Sequence, residues 1–306
     1  MDLRNSSLLI TGGTGSFGLA MVEKMLPVVK RVVVFSRDEK KQYDIKRRHK
    51  DVECILGDIR DYDSILKATR TIDYVFHAAA LKHVPNYERH PTEAIKTNVI
   101  GSTNVFEACA RNGIKRCVAL STDKACYPIN VMGQTKALME KIAYNYPNVV
   151  VTRYGNVAGS RGSVIPLFRD QIKKFKTVSI THKNMTRFLM SMDEATDLVF
   201  KALISDEPDD FMFIRKAKAA KITDLANALA GGIGIKFVIS GIRPGEKMHE
   251  VLVTGEERER GQNLPKFYRI PREIPEGLNQ NLNDYSSEKN LMSNFELQEF
   301  INSYEQ

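Results

Sequence analysis

The chain has 306 residues, of which 42% are hydrophobic and 27% are charged, a composition typical of globular proteins that argues against the disordered and fibrous classes. Its length allows one large domain or a large domain with a smaller one. The 45 Lys and Arg residues exceed the 37 Asp and Glu residues and give a net charge of +8, which favours anionic ligands such as nucleotides and diphosphates. The basic residues are dispersed and no recognition motif accompanies them, so nucleic acid is not the expected partner.

The expected location follows from the amino terminus and the cysteines. Residues 7–11 already form a predicted strand, which leaves no room before them for a signal peptide, and no apolar run approaches the roughly 18 residues of a membrane span. None of the four cysteines has Cys-x-x-Cys spacing. We therefore expect a cytoplasmic protein with free thiols and no membrane association. No His, Cys or Asp cluster has metal-ligand spacing, so no metal site is expected.

Short apolar runs alternate with amphipathic segments through the first half of the chain. The predicted strands cover 8–11, 31–35, 52–56, 74–77, 117–120 and 149–152. The predicted helices cover 17–27, a charged stretch to about 50, 62–68, about 91–112 and about 131–146. This alternation predicts an α/β fold, in which a doubly wound parallel (Rossmann) sheet is covered by helices on both faces.

Beyond Tyr154 the alternation weakens and Gly and Pro interrupt it. Further helices are predicted at 193–205, 221–230 and 295–301. We predict that residues 1–158 with about 188–215 form the nucleotide-binding domain. Residues 159–187 with about 216–306 are expected to form a smaller α/β substrate-binding domain.

A glycine-rich loop lies between the first predicted strand and the first predicted helix. Its glycines let the backbone turn tightly and approach a pyrophosphate at the helix amino end, which predicts a dinucleotide site. The expected cofactor contacts in this segment are Thr11, Gly12, Thr14, Gly15, Ser16, Phe17 and Gly18.

The end of the second strand bears on the choice between the two nicotinamide cofactors. An acidic residue there binds ribose hydroxyls, whereas an arginine accommodates a 2′-phosphate. The segment Ser36-Arg37-Asp38 offers both, but Arg37 comes first and Lys41 follows closely, so NADP is favoured over NAD.

Several later positions complete the predicted cofactor site. Asp58 follows the third strand and suits an adenine contact, and the small Ala78-Ala79-Ala80 segment lets the cofactor pass over the fourth strand. Asn98 is either a cofactor contact or a satisfied core amide. The remaining candidate contacts are Ile59, Ser121, Lys136, Tyr154, Asn156 and Val157.

Motifs in order along nearly the whole chain resemble the extended short-chain dehydrogenase/reductase superfamily, and within it the bacterial UDP-N-acetylglucosamine 4,6-dehydratases. The matching segments are 10–18, 36–39, 77–85, 121–126, 153–157, 159–163, 185–188 and 242–247. The resemblance implies an internal redox elimination. Hydride leaves sugar carbon 4, water is lost across carbons 5 and 6, and hydride returns to carbon 6.

One position departs from the pattern of the superfamily, whose catalytic pair is Tyr-x-x-x-Lys on one helix face. Lys136 is present, but Met132 holds the tyrosine position, and a thioether cannot exchange a proton. Asp123 and Lys124 are the obvious replacements. We expect Lys124 to act as the carbon-5 base and Asp123 as the acid for the 6-hydroxyl, although the roles could be swapped, and Thr122 to hydrogen-bond the 4-hydroxyl.

Substrate contacts are expected from residues outside the cofactor motif. Arginines match phosphate oxygens two at a time, so Arg161, Arg187 and Arg243 are candidates for binding the diphosphate. Glu246 is expected at the uridine ribose. The other candidates are Lys82, His83, Asn156 and Thr186.

The resemblance leaves the stereochemical outcome open. Relatives that invert carbon 5 share the Ser36-Arg37-Asp38 segment and the short length but generally keep the tyrosine, whereas relatives that retain configuration have the methionine. We favour retention at carbon 5. The alternatives are the inverting dehydratase, a UDP-sugar 4-epimerase and a non-catalytic NAD(P)-binding regulator. A homo-oligomer, either a hexamer or a dimer, is implied by the resemblance.

Overall fold

The computed structural model describes residues 3–159, 162–206, 210–278 and 282–305. The strands are β1 (Ser7–Thr11), β2 (Arg31–Ser36), β3 (Glu53–Leu56), β4 (Tyr74–His77), β5 (Arg116–Leu120), β6 (Val149–Arg153), β7 (Asn156–Val157), β8 (Thr177–Ile180), β9 (Thr186–Met190), β10 (Asp210–Arg215), β11 (Ala219–Lys221), β12 (Lys236–Ile239), β13 (Val251–Val253), β14 (Gln262–Asn263), β15 (Phe267–Pro271) and β16 (Tyr285–Ser286).

The α-helices are α1 (Ser16–Met25), α2 (Glu39–Arg48), α3 (Tyr62–Ala68), α4 (Val84–Arg89), α5 (Pro91–Ala94), α6 (Ser102–Arg111), α7 (Val131–Ala143), α8 (Val164–Phe175), α9 (Met192–Ile204), α10 (Ile222–Ala230), α11 (Gly255–Arg260) and α12 (Asn294–Glu305). A π-helix, Ile95–Gly101, joins α5 to α6, and a 3₁₀ turn, Asp123–Ala125, follows β5. The single helix predicted over 91–112 is therefore three segments. Helices α4 and α8 were not predicted.

The central sheet has the strand order β14-β15-β10-β6-β5-β4-β1-β2-β3. The strands from β10 to β3 in this order run parallel, and β15 pairs antiparallel with β10. Successive residues of β1 enter different cores, because Leu9 packs on one face of the sheet while Leu8 and Ile10 pack on the other. Both faces are thus buried, and the predicted doubly wound fold is confirmed.

The smaller sheets have the orders β11-β9-β7, β12-β8 and β13-β16. Most of their strands come from the part of the chain predicted as the substrate domain, but β7 lies in the range predicted for the nucleotide-binding domain and β9 crosses the predicted boundary near residue 187. Helices α8 and α10 bury an apolar cluster with this part of the chain, which includes Phe168, Val178 and Ile222. Strands β14 and β15 come from the same predicted domain but lie in the central sheet. The boundaries between domains stay a prediction, and the chain after residue 216 contributes to both sheet systems.

Candidate active site at the carboxyl edge of the sheet

The glycine-rich loop lies where β1 ends and α1 begins. Gly12 has φ +67°, and a Cβ there would stand 2.7 Å from the backbone nitrogen of Ala79, so only glycine fits. Gly15 is the N-cap of α1 and gives it no side-chain cap, and the first helical turn carries no acidic residue. The loop therefore brings the amino end of α1, which has no side-chain cap, beside the small residues after β4, as a dinucleotide site requires.

The charged residues after β2 are paired with one another. The Asp38 carboxylate caps α2 by accepting from the Lys41 backbone N–H at 3.0 Å, and it also forms an ion pair with the Lys41 ammonium. Arg37 lies 3.4 Å from Asp58, which Arg60 also contacts at 2.7 Å. A cavity of about 440 Å³ lies beside these residues.

The cavity opens between the glycine-rich loop and α2. Its lining includes Thr14, Ser16, Lys41, Asp44 and Arg48. Two cations therefore face the space next to the loop, which suits a phosphate group there.

Asn98 lies in the π-helix and is fully buried. Its amide accepts from the Leu81 backbone N–H at 2.8 Å and donates to the Leu81 carbonyl at 2.9 Å and to Thr135 Oγ1 at 3.1 Å. Of the two interpretations of Asn98, the structure supports the satisfied core amide. It ties the loop after β4 to α7, while Lys82 and His83 in that loop are exposed.

The 3₁₀ turn after β5 brings Asp123 and Lys124 together in the interior. The Asp123 side chain is fully buried, and its Oδ1 accepts from Thr122 Oγ1 and from Lys124 Nζ, each at 2.9 Å. Its Oδ2 has no hydrogen-bond partner among the described residues. The amino end of α7 packs closely on this turn, since a Cβ on Gly133 would stand 2.3 Å from the Lys124 carbonyl oxygen. The turn is thus held rigidly with one carboxylate oxygen unused.

Lys124 is surrounded by oxygen atoms from three parts of the chain. Besides Asp123, its Nζ contacts Asn156 Oδ1 at 3.3 Å and Glu250 Oε1 at 3.4 Å. Burial lowers the pKa of Lys124, but the Asp123 and Glu250 carboxylates outweigh burial and leave that pKa raised. Burial raises the pKa of Asp123, despite the opposing charge of Lys124. Asp123 therefore favours the protonated acid and Lys124 the ammonium ion.

Glu250 was not among the predicted site residues. Burial raises its pKa, but the cations Lys124, Arg187 and Lys247 outweigh burial and leave that pKa lowered. Its own sequence neighbourhood carries no catalytic signal. Only the packing of the segment before β13 against the turn after β5 brings Glu250 to Lys124.

Met132 and Lys136 lie one helical turn apart on α7 and are both buried. Lys136 Nζ donates to the Leu120 carbonyl at 2.7 Å, and burial lowers the pKa of Lys136 to about 8. Tyr154 stacks on Phe17 with 5.5 Å between ring centroids. Burial, and then Asp123, raise the pKa of Tyr154, so this phenol does not replace the missing tyrosine as a proton acceptor.

The remaining predicted cofactor contacts lie along the same edge. Ser121, directly after β5, is buried with an Oγ that has no partner among the described residues. Asn156 and Val157 form β7, and Ile59 is buried against Gly101. The structure therefore brings most of the predicted set to the carboxyl edge of the parallel strands.

The predicted substrate residues fall into two groups. Arg187 is buried and donates to the carbonyls of Lys247 and Met248, with Glu246 at 3.5 Å. Arg243 is exposed and pairs with Glu246 at 2.9 Å.

Thr186 forms a buried contact with His249 Nδ1 at 2.8 Å and with Ser287 Oγ at 2.7 Å. Arg161 lies outside the described residues. Thr186 and Arg187 thus tie β9 to the segment 246–250, which carries Glu250.

The sequence matches a known protein family and has close relatives in Rickettsia. Residues 8–272 match the model of a family described as polysaccharide biosynthesis protein. The chain belongs to this family. Proteins named UDP-glucose 4-epimerase from Rickettsia bellii and Rickettsia typhi are each 47% identical to it over 284 residues, covering 87% of this chain and 83% of the relative.

Solved structures agree with this family membership. Pen from Bacillus thuringiensis is 34% identical, covers 100% of this chain and 99% of its own, and superposes with a TM-score of 0.91. The dTDP-glucose 4,6-dehydratase DesIV from Streptomyces venezuelae, with a TM-score of 0.71 and 20% identity over 79% of this chain and 86% of its own, shares the fold. The chain is therefore a member of the polysaccharide biosynthesis protein family with the fold that DesIV also has.

Two features are absent from the part of the chain that the structure describes. No helix there is long and apolar enough to cross a membrane. No group of three or more His, Cys, Asp or Glu side chains in that part of the chain could hold a metal ion.

Proposed function

We propose that this protein is a UDP-N-acetylglucosamine 4,6-dehydratase that retains the configuration at carbon 5. The observation that carries the proposal is the buried contact between Asp123 and Lys124 beside Met132, at the edge where the dinucleotide loop lies. Dehydration needs a base at carbon 5 and an acid at the 6-hydroxyl. The Asp123 and Lys124 pair supplies one carboxyl group and one amine at a single point.

The cofactor is proposed to be NADP, held by the glycine-rich loop. Only glycine fits at Gly12, and the N-cap of α1 is open, so the residues present fit a dinucleotide. Lys41, whose side chain lines the cavity beside the loop, and Arg37 are the proposed contacts of the 2′-phosphate. When bound, the cofactor accepts a hydride from sugar carbon 4 and returns it to carbon 6.

Asp123 is the proposed acid for the departing 6-hydroxyl. Burial raises the pKa of Asp123, which favours the protonated acid that the 6-hydroxyl needs, and its Oδ2 has no hydrogen-bond partner among the described residues. A general acid at neutral pH needs a raised pKa and an oxygen that can hydrogen-bond the substrate, and Asp123 offers both.

Lys124 is the proposed carbon-5 base, in its neutral form. The ketone at carbon 4 acidifies the hydrogen on carbon 5, and the Lys124 amine then removes that proton. Thr122 is proposed to hydrogen-bond the 4-hydroxyl. The Asp123 carboxylate is proposed to take the 4-hydroxyl proton, directly or through water, and to give the same proton later to the departing 6-hydroxyl. Lys136, with a pKa of about 8, keeps most of its positive charge at neutral pH and favours the alkoxide.

A UDP-sugar 4-epimerase is the second candidate, because the Rickettsia relatives at 47% identity carry that name. Epimerisation needs a base only at the 4-hydroxyl, and it leaves no task for a buried acid and amine directed at carbons 5 and 6. The absence of the tyrosine at Met132 also removes the residue that an epimerase of this fold would use. We therefore rank the dehydratase first.

The test is NMR of the product formed from UDP-N-acetylglucosamine by the purified protein in heavy water. A gluco-configured 4-keto-6-deoxy sugar with deuterium at carbon 5 supports the retaining dehydratase. An inverted carbon 5 moves the chain to the inverting branch, and a galacto-configured sugar without dehydration establishes the epimerase. Unchanged substrate would overturn the dehydratase proposal for this sugar and favour the cofactor-binding regulator.

A further inference from the structure

Glu250 is a buried carboxylate that the proposed mechanism does not yet use. Its side chain is 3% exposed and lies 3.4 Å from Lys124 Nζ through Oε1. Its Oε2 has no hydrogen-bond partner among the described residues, and the Lys247 ammonium lies 3.7 Å away. The Glu250 backbone is fixed, because its N–H donates to Ser287 Oγ at 2.9 Å and its carbonyl accepts from the Ser287 N–H at 2.8 Å.

Every charged group that faces Glu250 in the described chain comes from a different element. Lys124 comes from the turn after β5, Arg187 from β9 with its Nε at 4.0 Å, and Lys247 from the segment before β13. Asp123 contacts the same Lys124 ammonium at 2.9 Å. The surrounding cations outweigh burial and favour the ionised form of Glu250, whereas burial shifts Asp123 toward the protonated form.

This distribution of charge poses a problem for the base. An ammonium ion whose hydrogens point at Asp123, Asn156 and Glu250 cannot take a proton from carbon 5. Its proton must first move to an acceptor within reach. Asp123 cannot be that acceptor while it holds the proton needed by the 6-hydroxyl.

We propose that Glu250 is this acceptor, and that it takes the ammonium proton of Lys124 so that the neutral amine can act on carbon 5. This inference rests on the proposed dehydratase function. The N–H bond of Lys124 breaks as the O–H bond of Glu250 forms, and an ion pair becomes a neutral amine and a carboxylic acid. The amine then forms a new N–H bond with the carbon-5 proton as the C5–H bond breaks, and the electron pair of that C5–H bond passes into the enolate. When carbon 5 is reprotonated from the same ammonium, the neutral pair is restored, and the proton returns from Glu250 to Lys124 on product release.

Substrate binding supplies the driving force for this transfer. A sugar over the cluster excludes water, and a buried neutral pair is then favoured over a buried ion pair. Binding of the substrate and generation of the base are thus linked through one carboxylate.

The first test separates oxidation at carbon 4 from proton removal at carbon 5. Glu250→Gln keeps the shape and removes the proton acceptor. With UDP-N-acetylglucosamine, we expect oxidation, followed by the absorbance of reduced nicotinamide, to stay within about fivefold of wild type. Deuterium incorporation at carbon 5 and loss of water should both fall by about 100-fold or more, so that reduced cofactor accumulates.

Two variants act as controls for this test. Glu250→Asp retains a carboxylic acid and should restore part of the carbon-5 exchange. Glu256→Gln changes an exposed carboxylate that pairs with Arg260, and should match wild type in both steps. An equal loss of both steps in Glu250→Gln would show a merely structural role and overturn the proposal, as would full activity.

The second test needs no turnover. With ¹⁵N-labelled lysine, the Lys124 amine resonance is assigned by its loss in Lys124→Arg, and its pKa is measured in wild type and in Glu250→Gln. Removing an opposite charge at 3.4 Å should lower that pKa by about one unit or more. An unchanged pKa overturns the role of Glu250. If wild type forms no keto sugar, the dehydratase proposal fails on that result, and the Lys124 resonance still decides whether Glu250 controls the amine.

Discussion

The protein contains two buried clusters of charged side chains that differ in whether their carboxylate oxygens are fully hydrogen-bonded. In the first, here called the arginine cluster, Arg153 of β6 binds Glu140 of α7 at 2.6 Å and Glu257 of α11 at 2.7 Å. All four oxygens of these two carboxylates accept hydrogen bonds from the guanidinium. The arginine cluster therefore joins three elements and leaves no carboxylate oxygen over.

The second, here called the lysine cluster, consists of Asp123, Lys124 and Glu250. It contains the same number of buried carboxylates, but one oxygen of each has no hydrogen-bond partner in the described chain. A single ammonium ion cannot satisfy both groups, and an unsatisfied buried acceptor costs about 1–3 kcal/mol. A cluster whose carboxylate oxygens are all hydrogen-bonded stabilises the fold. A cluster with unpartnered carboxylate oxygens can instead accept hydrogen bonds from a ligand. The same change of carboxylate to amide should therefore have opposite consequences in the two clusters.

Asp123→Asn is expected to have the largest effect on activity. The amide cannot give a proton to the departing hydroxyl, so the rate of dehydration should fall by about 10²–10⁴-fold. The unfolding free energy should stay within about 1 kcal/mol of wild type, because the neutral amide avoids the burial cost that raises the pKa of Asp123, and this offsets the weaker contact with Lys124. Turnover followed by NMR and denaturant unfolding of the same preparations measure both. A large loss of stability would place Asp123 with the arginine cluster instead.

Glu257→Gln is the matched change in the arginine cluster. It leaves Arg153 with one carboxylate and turns an amide N–H group toward the guanidinium, which should cost about 3 kcal/mol or more of unfolding free energy. The turnover of the folded fraction should equal that of wild type, since Glu257 faces Arg153 and not the site. Loss of turnover at full stability would contradict the distinction between the clusters.

Gly133→Ala tests how rigidly the turn of the lysine cluster is held. The added Cβ would stand 2.3 Å from the Lys124 carbonyl oxygen, which must shift, and we expect at least a tenfold loss of turnover with about 1–3 kcal/mol of destabilisation. Gly234→Ala is the control, because nothing lies within 4 Å of the Cβ there. Equal behaviour of the two variants would show that the close contact has no role.

The contrast between the clusters also shows what could be predicted from the sequence. The parallel sheet and the glycine loop follow local patterns of alternation and turn residues, and the structure confirms the fold. Asp123 and Lys124 are adjacent, so their pairing could be anticipated. Glu250 could not, because its place beside Lys124 depends on how the segment before β13 packs against β9 and the turn after β5.

Other differences have similar causes. The π-helix over Ile95–Gly101 differs from an α-helix in its hydrogen bonding, which the sequence pattern does not reveal, so the sequence predicted one continuous helix. Arg187 was predicted to bind the diphosphate because a guanidinium matches phosphate oxygens. In the structure its hydrogen bonds go to the carbonyls of residues 186, 247 and 248, and only the folded chain brings those acceptors together.

Lys136 is a third buried charged group, and burial lowers its pKa. Its substitution gives the smallest of the expected effects, a change in the unfolding free energy. A pKa lowered from 10.5 to about 8 means that the charged form costs about 3 kcal/mol in the folded state at neutral pH. Between these two pKa values the unfolded chain binds more protons, so the cost is full below about pH 8 and disappears as the pH rises toward 10.5.

Lys136→Met removes the titration and also leaves the Leu120 carbonyl without its donor, which offsets about 1 kcal/mol of the gain. The variant should therefore be about 2 kcal/mol more stable than wild type near pH 7, and denaturant unfolding repeated near pH 10 should show that this advantage is gone. A stability advantage that does not change with pH would mean that the gain comes from packing of the methionine and that burial does not oppose the charge of Lys136.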